Sequence, residues 1–473
     1  MNSNHHGHQR RHFLGQCLWG LGGLAAAGAA APRLSFGGDA DDSPLRPRLP
    51  HFPAKAKRVI FLFMIGGPSQ HDLFDDKPKL RELDGQPISD EFLSRMQFAQ
   101  IMEQRPSLLG STFKFGRYGE SGAEVSELLP FTAGVVDDLA IVKTVETEEI
   151  PHHPAEVFWH TGTRQFGRPS LGAWVNYALG SESPNLPGYV VLQSGMRPRT
   201  KGSIYGAGFL SSAYQGVPLR DQGEPILNLA APDDVAGIDQ REIIDAVREL
   251  NSLRHRQTRD PETLARSAAY DLADRLSKTA PEAVDLGNET AGTLARYGVD
   301  PAQPSFARNC LLARRLIERG VRFVHLCHGD WDHHSNLQGG LTAMCGQTDR
   351  ACAALIDDLK ERGLLEDTLV VWGGEFGRTA VGQKSDTAGV GRDHQISAFT
   401  MWLSGGGVRS GQTIGQTDEL GCFPVTPAIH VHDIQATILH LLGLDHQRLT
   451  YRFQGRDFRL TDVGGNVVPE LIA

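Results

Sequence analysis

The chain has 473 residues, 40% of them hydrophobic and 22% charged, with a net charge of −9, the composition of an ordinary globular protein. That charge is spread without a basic run, which excludes nucleic acid as an expected partner. Beyond the N-terminus no apolar stretch approaches the length of a membrane helix, so no span is expected in the mature chain.

The first predicted element is an address. Arg10-Arg11-His-Phe13-Leu14 precedes an apolar, small-residue run from Leu18 to Ala31 that closes on Ala29-Ala-Ala31. A charged region, a short apolar region and small residues in that order read as a twin-arginine export signal over residues 1–38. The bland alternative is a chance arginine pair beside a buried helix, and the Gly/Ala richness argues against it. The expected consequences are passage through the twin-arginine machinery and a periplasmic or extracellular location. Pro32 makes cleavage after Ala31 awkward and leaves the cut site open. Residues 39–55 then read as a linker and 56–473 as the working domain. Cys310, Cys327, Cys345, Cys352 and Cys422 show no CxxC spacing, so buried thiols are expected rather than a disulfide framework.

Arg58-Val-Ile-Phe-Leu-Phe-Met-Ile65 is a continuous apolar run ending at Gly66-Gly-Pro-Ser69, the pattern of a strand buried on both faces of a parallel sheet. Residues 139–145, 188–192, 321–326, 368–372 and 399–403 are further strand candidates. Phe306 to Glu318 is helical in pattern, and Leu341, Cys345, Thr348, Cys352, Leu355 and Leu359 trace one helix face. Strands alternating with helices predict an α/β fold: an open, mostly parallel sheet with helices on both faces. From about 194 to 298 the rhythm breaks, and this stretch reads as an inserted cap of loop and charged helix.

Chemistry gathers after the predicted strands. Of 19 histidines, four lie in the signal region and only His255 falls between His160 and His325. Most of the others sit in islands. These are His71-Asp72, His152-His153 leading to Thr161-Gly162, and the stretch His328-Gly-Asp330-Trp-Asp332-His333-His334. Glu375-Phe-Gly-Arg378, Gly391-Arg-Asp-His394 and His430-Val-His432-Asp433 complete the set. Loops at the carboxyl ends of parallel strands converge on one crevice, and divalent metals need neutral imidazole and ionised carboxylate converging on one point. Asp330 and His334 stand four apart, so one turn of helix would align them. Each island has a plain reading too. His432 and Asp433 can serve as a helix cap, His325 as a packed core residue, and Arg378 as the partner of Glu375.

With these islands in order, the chain resembles the DUF1501 family of the alkaline phosphatase and sulfatase superfamily. The residues carrying the resemblance are Gly66-Gly-Pro-Ser69, Val125-Ser-Glu-Leu-Leu-Pro130, Trp331-Asp-His-His334, Glu375-Phe-Gly-Arg-Thr379, Gly391-Arg-Asp-His394 and His432-Asp-Ile-Gln, together with Tyr451 to Asp457. The resemblance implies an alkaline-phosphatase-like fold and a centre of two metals. One metal would take an Asp-x-x-x-His pair and a later His, matched by Asp330, His334 and His394, with Asp332 competing for the carboxylate. The second would take an Asp at the end of the first strand and a later Asp-His pair. Gly66 stands in the first of these places, with Asp72 six residues on, and Glu375-Phe376 in the second. The nucleophile, ordinarily Ser, Thr or a modified Cys, aligns with His152.

The expected function is therefore an exported hydrolase of sulfate or phosphate esters, acting on an anionic small molecule or polysaccharide. Asp72, Asp330, Asp332, His334, Glu375 and His394 are the expected metal ligands, and His152, His153 and Arg378 the catalytic groups. Imidazole-rich ligation favours one or two ions of zinc or manganese over calcium or magnesium. His152 or His153 could instead replace the missing ligands, with water activated at a metal as the attacking group. The alternative function is a non-catalytic, metal-containing binding protein that kept the fold.

Overall fold

The computed structural model describes residues 44–220, 225–226, 240–258, 260–385 and 389–473. The stretch read as an export signal, and the first residues of the stretch read as a linker, lie outside this range. In chain order the strands that build the site are β1 (Arg58–Met64), a hairpin of β2 (Phe115–Tyr118) and β3 (Ala123–Ser126), β4 (Ala140–Glu146), β5 (Tyr189–Ser194), β6 (Val217–Pro218), β7 (Phe323–His328), β8 (Thr368–Gly373), β9 (Gly377–Ser385), β10 (Gly389–Gln395), β11 (Phe399–Ser404), β12 (Gln412–Ile414) and β13 (Ile429–His430).

The central sheet runs β12-β4-β11-β8-β1-β7-β5-β6, with β13 also paired to β4. β1 lies parallel to both β7 and β8, and β5 parallel to β7. Only β11 runs against its neighbours β4 and β8. The sheet is therefore mostly parallel, as the apolar runs predict, and its strand boundaries fall within a few residues of those read from the sequence.

Side-chain alternation along β1 explains the layers. Ile60, Leu62 and Met64 join one apolar cluster with Leu311, Leu316, Leu341 and Leu355. Phe61, Phe63 and Ile65 join the other with Trp159, Trp174, Ile434 and Ile438. Successive residues of a strand face opposite ways. A strand whose residues are all apolar must therefore be covered on both faces. Helices Phe306–Glu318 and Leu337–Glu361 cover one face; helices His152–Thr161, Leu171–Leu179 and Val431–Leu441 cover the other.

The stretch read as a cap contains helices Gln240–Thr258, Pro261–Val284 and Ala291–Tyr297. Leu276, Ala280 and Ala283 of the second of these are buried in the first cluster. The reading of 39–55 as a linker needs correction from Pro44 onward. Backbone amides of Arg48, His51 and Lys55 donate to the carbonyls of Leu179, Gly443 and Leu441, each at 2.9 Å. An unpaired backbone would lose those bonds, so the compact unit begins at Pro44. No described helix is long and apolar enough to cross a membrane. The five cysteines outside the signal region are buried and unbridged.

Candidate metal centre

The carboxyl ends of β1, β7 and β8 lie side by side because the three strands are paired in register: Met64 opposite His328, Phe63 opposite Gly373. The chain leaving β7 carries Asp332 and His334. That leaving β8 carries Glu375 and, through the β9–β10 hairpin, His394. The loop after β4 leads to His152 at the first turn of helix His152–Thr161.

The loop after β7 does not take the helical turn that would align Asp330 with His334. The amides of His333 and His334 instead donate to the carbonyls two residues back, Trp331 at 3.0 Å and Asp332 at 3.2 Å, the pattern of tight three-residue turns. Trp331 is driven into the apolar cluster and is 1% exposed. Asp330 turns aside in a left-handed conformation (φ 77°), and its carboxylate accepts from the Met196 amide at 3.1 Å. Asp332 and His334 are left adjacent, with the Asp332 carboxylate 2.9 Å from His334 Nε2.

Among the described residues, one group of His, Cys, Asp and Glu side chains has its ligand atoms close enough to share an ion. It comprises His152, Asp332, His334 and His394, with these atoms all within 4.8 Å of one another. The remaining expected residues lie elsewhere or act on this group. Asp72 is buried and paired with the Arg392 guanidinium at 2.8 Å. His153, the next residue of the helix, is exposed and is not among the cluster's residues. Glu375 is fully buried and touches the cluster through His152, 2.7 Å from its Nδ1, while also accepting from the Gly66 amide at 2.9 Å. Arg378 donates to the Asp332 carboxylate at 2.7 Å. Its guanidinium also donates to the carbonyls of Gly66, Gly67, Trp331 and Arg392, and the residue is 1% exposed. Arg378, expected among the catalytic groups and alternatively as the partner of Glu375, is instead packed against Asp332 and backbone carbonyls.

A metal suits the four residues on the chemistry of their donors. In each histidine an oxygen fixes the Nδ1 proton. Glu375 Oε1 accepts from His152 at 2.7 Å, Gln383 Oε1 from His334 at 2.6 Å, and the Ile150 carbonyl from His394 at 2.7 Å. Oxygens that hold the far nitrogen in this way leave the Nε2 lone pair for a metal. All three Nε2 atoms face the Asp332 carboxylate, at 2.9 Å from His334, 3.1 Å from His152 and 3.7 Å from His394. His334 Nε2 and His394 Nε2 stand only 3.0 Å apart. Two nitrogens so close must share a proton or a metal ion. His152 Nε2 is buried and meets the Asp332 carboxylate at 3.1 Å without the geometry of a formed hydrogen bond.

Charge is arranged to match. Burial alone would raise the Asp332 pKa, but the three imidazoles and the Arg378 guanidinium outweigh it and hold the group well below the ordinary carboxylate range. Burial alone would lower that of His152; Asp332 and Glu375 outweigh it and raise it to about 9. Burial lowers that of His394, with Asp332 opposing. A divalent cation entering here meets an ionised carboxylate and displaces protons from imidazole. The Asp332 and His334 side chains are 18% and 16% exposed, which leaves one side open to solvent.

Sequence reasoning does not find Gln383, Gln100 or Ile150. Gln100 Nε2 approaches His334 Nε2 at 3.0 Å, and its loop is held by the amides of Ala99, Gln100 and Ile101 donating to Asp393. Nothing about an isolated glutamine or a backbone carbonyl marks it as a partner of a histidine far along the chain. Asp393, by contrast, sits next to His394 in an island that the sequence does flag.

A family model described as "Protein of unknown function (DUF1501)" matches residues 56–472. No curated protein sequence matches the chain. Among solved structures, the chain is similar to a protein in the alkaline phosphatase superfamily from Vibrio parahaemolyticus, at 10% identity and a TM-score of 0.38, over 85% of this chain and 70% of that one. It is similar to the alkaline phosphatase from the Antarctic bacterium TAB5, at 12% identity and a TM-score of 0.30, over 82% and 98%. It is also similar to a phosphonate monoester hydrolase from Silicibacter pomeroyi, at 11% identity and a TM-score of 0.30, over 67% and 68%.

Proposed function

The chain belongs to the DUF1501 family, and on that footing we propose that it is an exported, metal-dependent hydrolase of sulfate or phosphate esters, with anionic carbohydrates as the substrate class. The single observation that carries this reading is the convergence of three oriented histidines and one ionised carboxylate at the carboxyl edge of the sheet. Zinc or manganese suits a set of three imidazoles and one carboxylate. When bound, a divalent ion supplies Lewis acidity for an ester oxygen and for water.

The chain's own residues divide the remaining work. Asp332, His152, His334 and His394 would hold the ion. Glu375 and Gln383 keep the protons of their histidines on Nδ1. Arg378 keeps Asp332 ionised and fixed in place. Gln100 brings its side-chain amide to His334 Nε2 at 3.0 Å. His152 stands where the family resemblance puts the nucleophile, but its Nδ1 is held by Glu375 and its Nε2 faces Asp332. It therefore serves as a ligand, and water is the attacking group in this reading.

The test is metal analysis of purified protein followed by turnover of aryl sulfates and aryl phosphates. Ester hydrolysis that disappears on chelation and returns with zinc or manganese supports the proposal. A full metal complement with no turnover of any ester ends its catalytic part. A second reading, a metal-containing binding protein without turnover, draws on the engagement of every Arg378 side-chain nitrogen by protein oxygens and on the lack of Ser, Thr or Cys at position 152. Retained binding of inorganic phosphate or sulfate without hydrolysis would favour it.

A further inference from the structure

We propose that this chain binds one metal ion and that the guanidinium of Arg378 stands as a built-in cation where the family resemblance implies a second. The inference rests on the metal reading of the His152, Asp332, His334 and His394 cluster. It departs from the two-ion plan because the residues at the second position do not fit an ion.

Three observations made at separate places agree. The first is steric. A second ion would draw a ligand from the end of β1, where Gly66 stands with φ 114°. A Cβ built on Gly66 would lie 2.4 Å from the Asp332 amide nitrogen and 2.7 Å from the Trp331 carbonyl carbon. Both neighbours are backbone, so neither can yield, and no side-chain ligand can occupy position 66. The second is chemical. Phe376 replaces an imidazole by an apolar ring, stacked on His394 at 4.2 Å and 4.9 Å from the ring of His152. Glu375 before it is committed to the Gly66 amide and to His152.

The third is electrostatic. Arg378 is 1% exposed, and its guanidinium donates to an array of oxygens: Gly67 O at 3.0 Å, Arg392 O at 3.1 Å, Asp332 Oδ1 at 2.7 Å, Trp331 O at 3.4 Å, and Gly66 O. Four carbonyls and a carboxylate pointing inward are what a hard cation seeks. A planar guanidinium satisfies them with directed N–H bonds and cannot lose its charge. Two cations cannot share these oxygens. The side chain therefore supplies a permanent positive charge beside Asp332 and excludes a second ion from the place.

The experiment uses the full chain stripped of metal by chelation. It is reloaded with excess zinc or manganese, desalted, and analysed for metal per chain; the manganese form is also examined by electron paramagnetic resonance. One tightly held ion per chain, with the spectrum of an isolated manganese, is the expected result. Two ions per chain, or an exchange-coupled pair, overturn the inference. No tightly held ion overturns the metal reading beneath it, which is a different failure. In Arg378→Ala the vacated oxygens should admit a second, weaker manganese, with stoichiometry rising towards two. A folded Arg378→Ala that still takes one ion overturns the part assigned to the guanidinium. Should that variant not fold, the wild-type stoichiometry decides.

Discussion

Asp332 is the residue on which the centre turns, because its carboxylate meets three imidazoles and one guanidinium. Asp330, two positions earlier, carries the same functional group and does not, since a left-handed turn sends it to the Met196 amide. Asp332→Asn should therefore reduce zinc affinity by at least about 100-fold, while Asp330→Asn leaves it within a few-fold; isothermal titration separates the two. Residues that only orient a ligand act more weakly. For Glu375→Gln a loss of about 10–100-fold in zinc affinity is expected. If Glu375→Gln binds zinc as wild type does, the assignment of His152 as a ligand held by Glu375 fails.

Helix His152–Thr161 and the β9–β10 hairpin each deliver one ligand, and each depends on a glycine at a close approach. Gly162 ends the helix in the left-handed region with φ 70°, and an added Cβ would sit 1.7 Å from the Leu460 carbonyl oxygen. Backbone strain and a backbone clash act together in Gly162→Ala, so a loss of more than about 2 kcal/mol is expected. In urea the midpoint should fall with the slope unchanged. Gly391 in β10 approaches the His334 carbonyl carbon so closely that a Cβ would lie 2.0 Å away. Gly391→Ala pushes the His334 loop away from the hairpin that carries His394. Metal affinity is expected to drop at least about 10-fold; a drop in thermal stability with unaltered affinity would show that the hairpin does not set the ligand spacing.

Across the whole molecule, buried neutral histidines link stability to pH. Burial lowers the pKa of His71 to about 3 and those of His160 and His328 to about 4, and holds that of His325 well below its ordinary value. Each of these folded values lies below the unfolded value of about 6.5. Their contribution to stability is thus complete above about pH 6.5 and is lost as the pH falls towards about 3, because the unfolded chain takes up protons that the folded one refuses. Urea midpoints should decline steadily over that window. A flat profile would mean that these imidazoles gain protons without unfolding. The proposed N-terminal address belongs to this scale as well. Arg10→Lys combined with Arg11→Lys, in a bacterial host with a twin-arginine system, should leave the protein in the cytoplasm; unchanged export would remove the localisation from the proposal.

The sequence by itself determined the sheet, because continuous apolar runs such as residues 58–65 leave a strand no option but burial on both faces. It also determined which loops carry chemistry, since His and Asp crowd at the ends of those strands. The tertiary structure decided which of them meet. Choosing Asp332 over Asp330 required the turn that Trp331 imposes by burying its ring, and spacing cannot report that. Excluding His153 beside His152 required the packed structure, in which His153 is exposed and lies outside the cluster. The oxygens that fix each imidazole come from Glu375, Gln383 and the Ile150 carbonyl, contacts set by packing between distant segments. Short-range pattern fixes the elements, whereas the convergence of side chains at an ångström scale depends on how those elements pack.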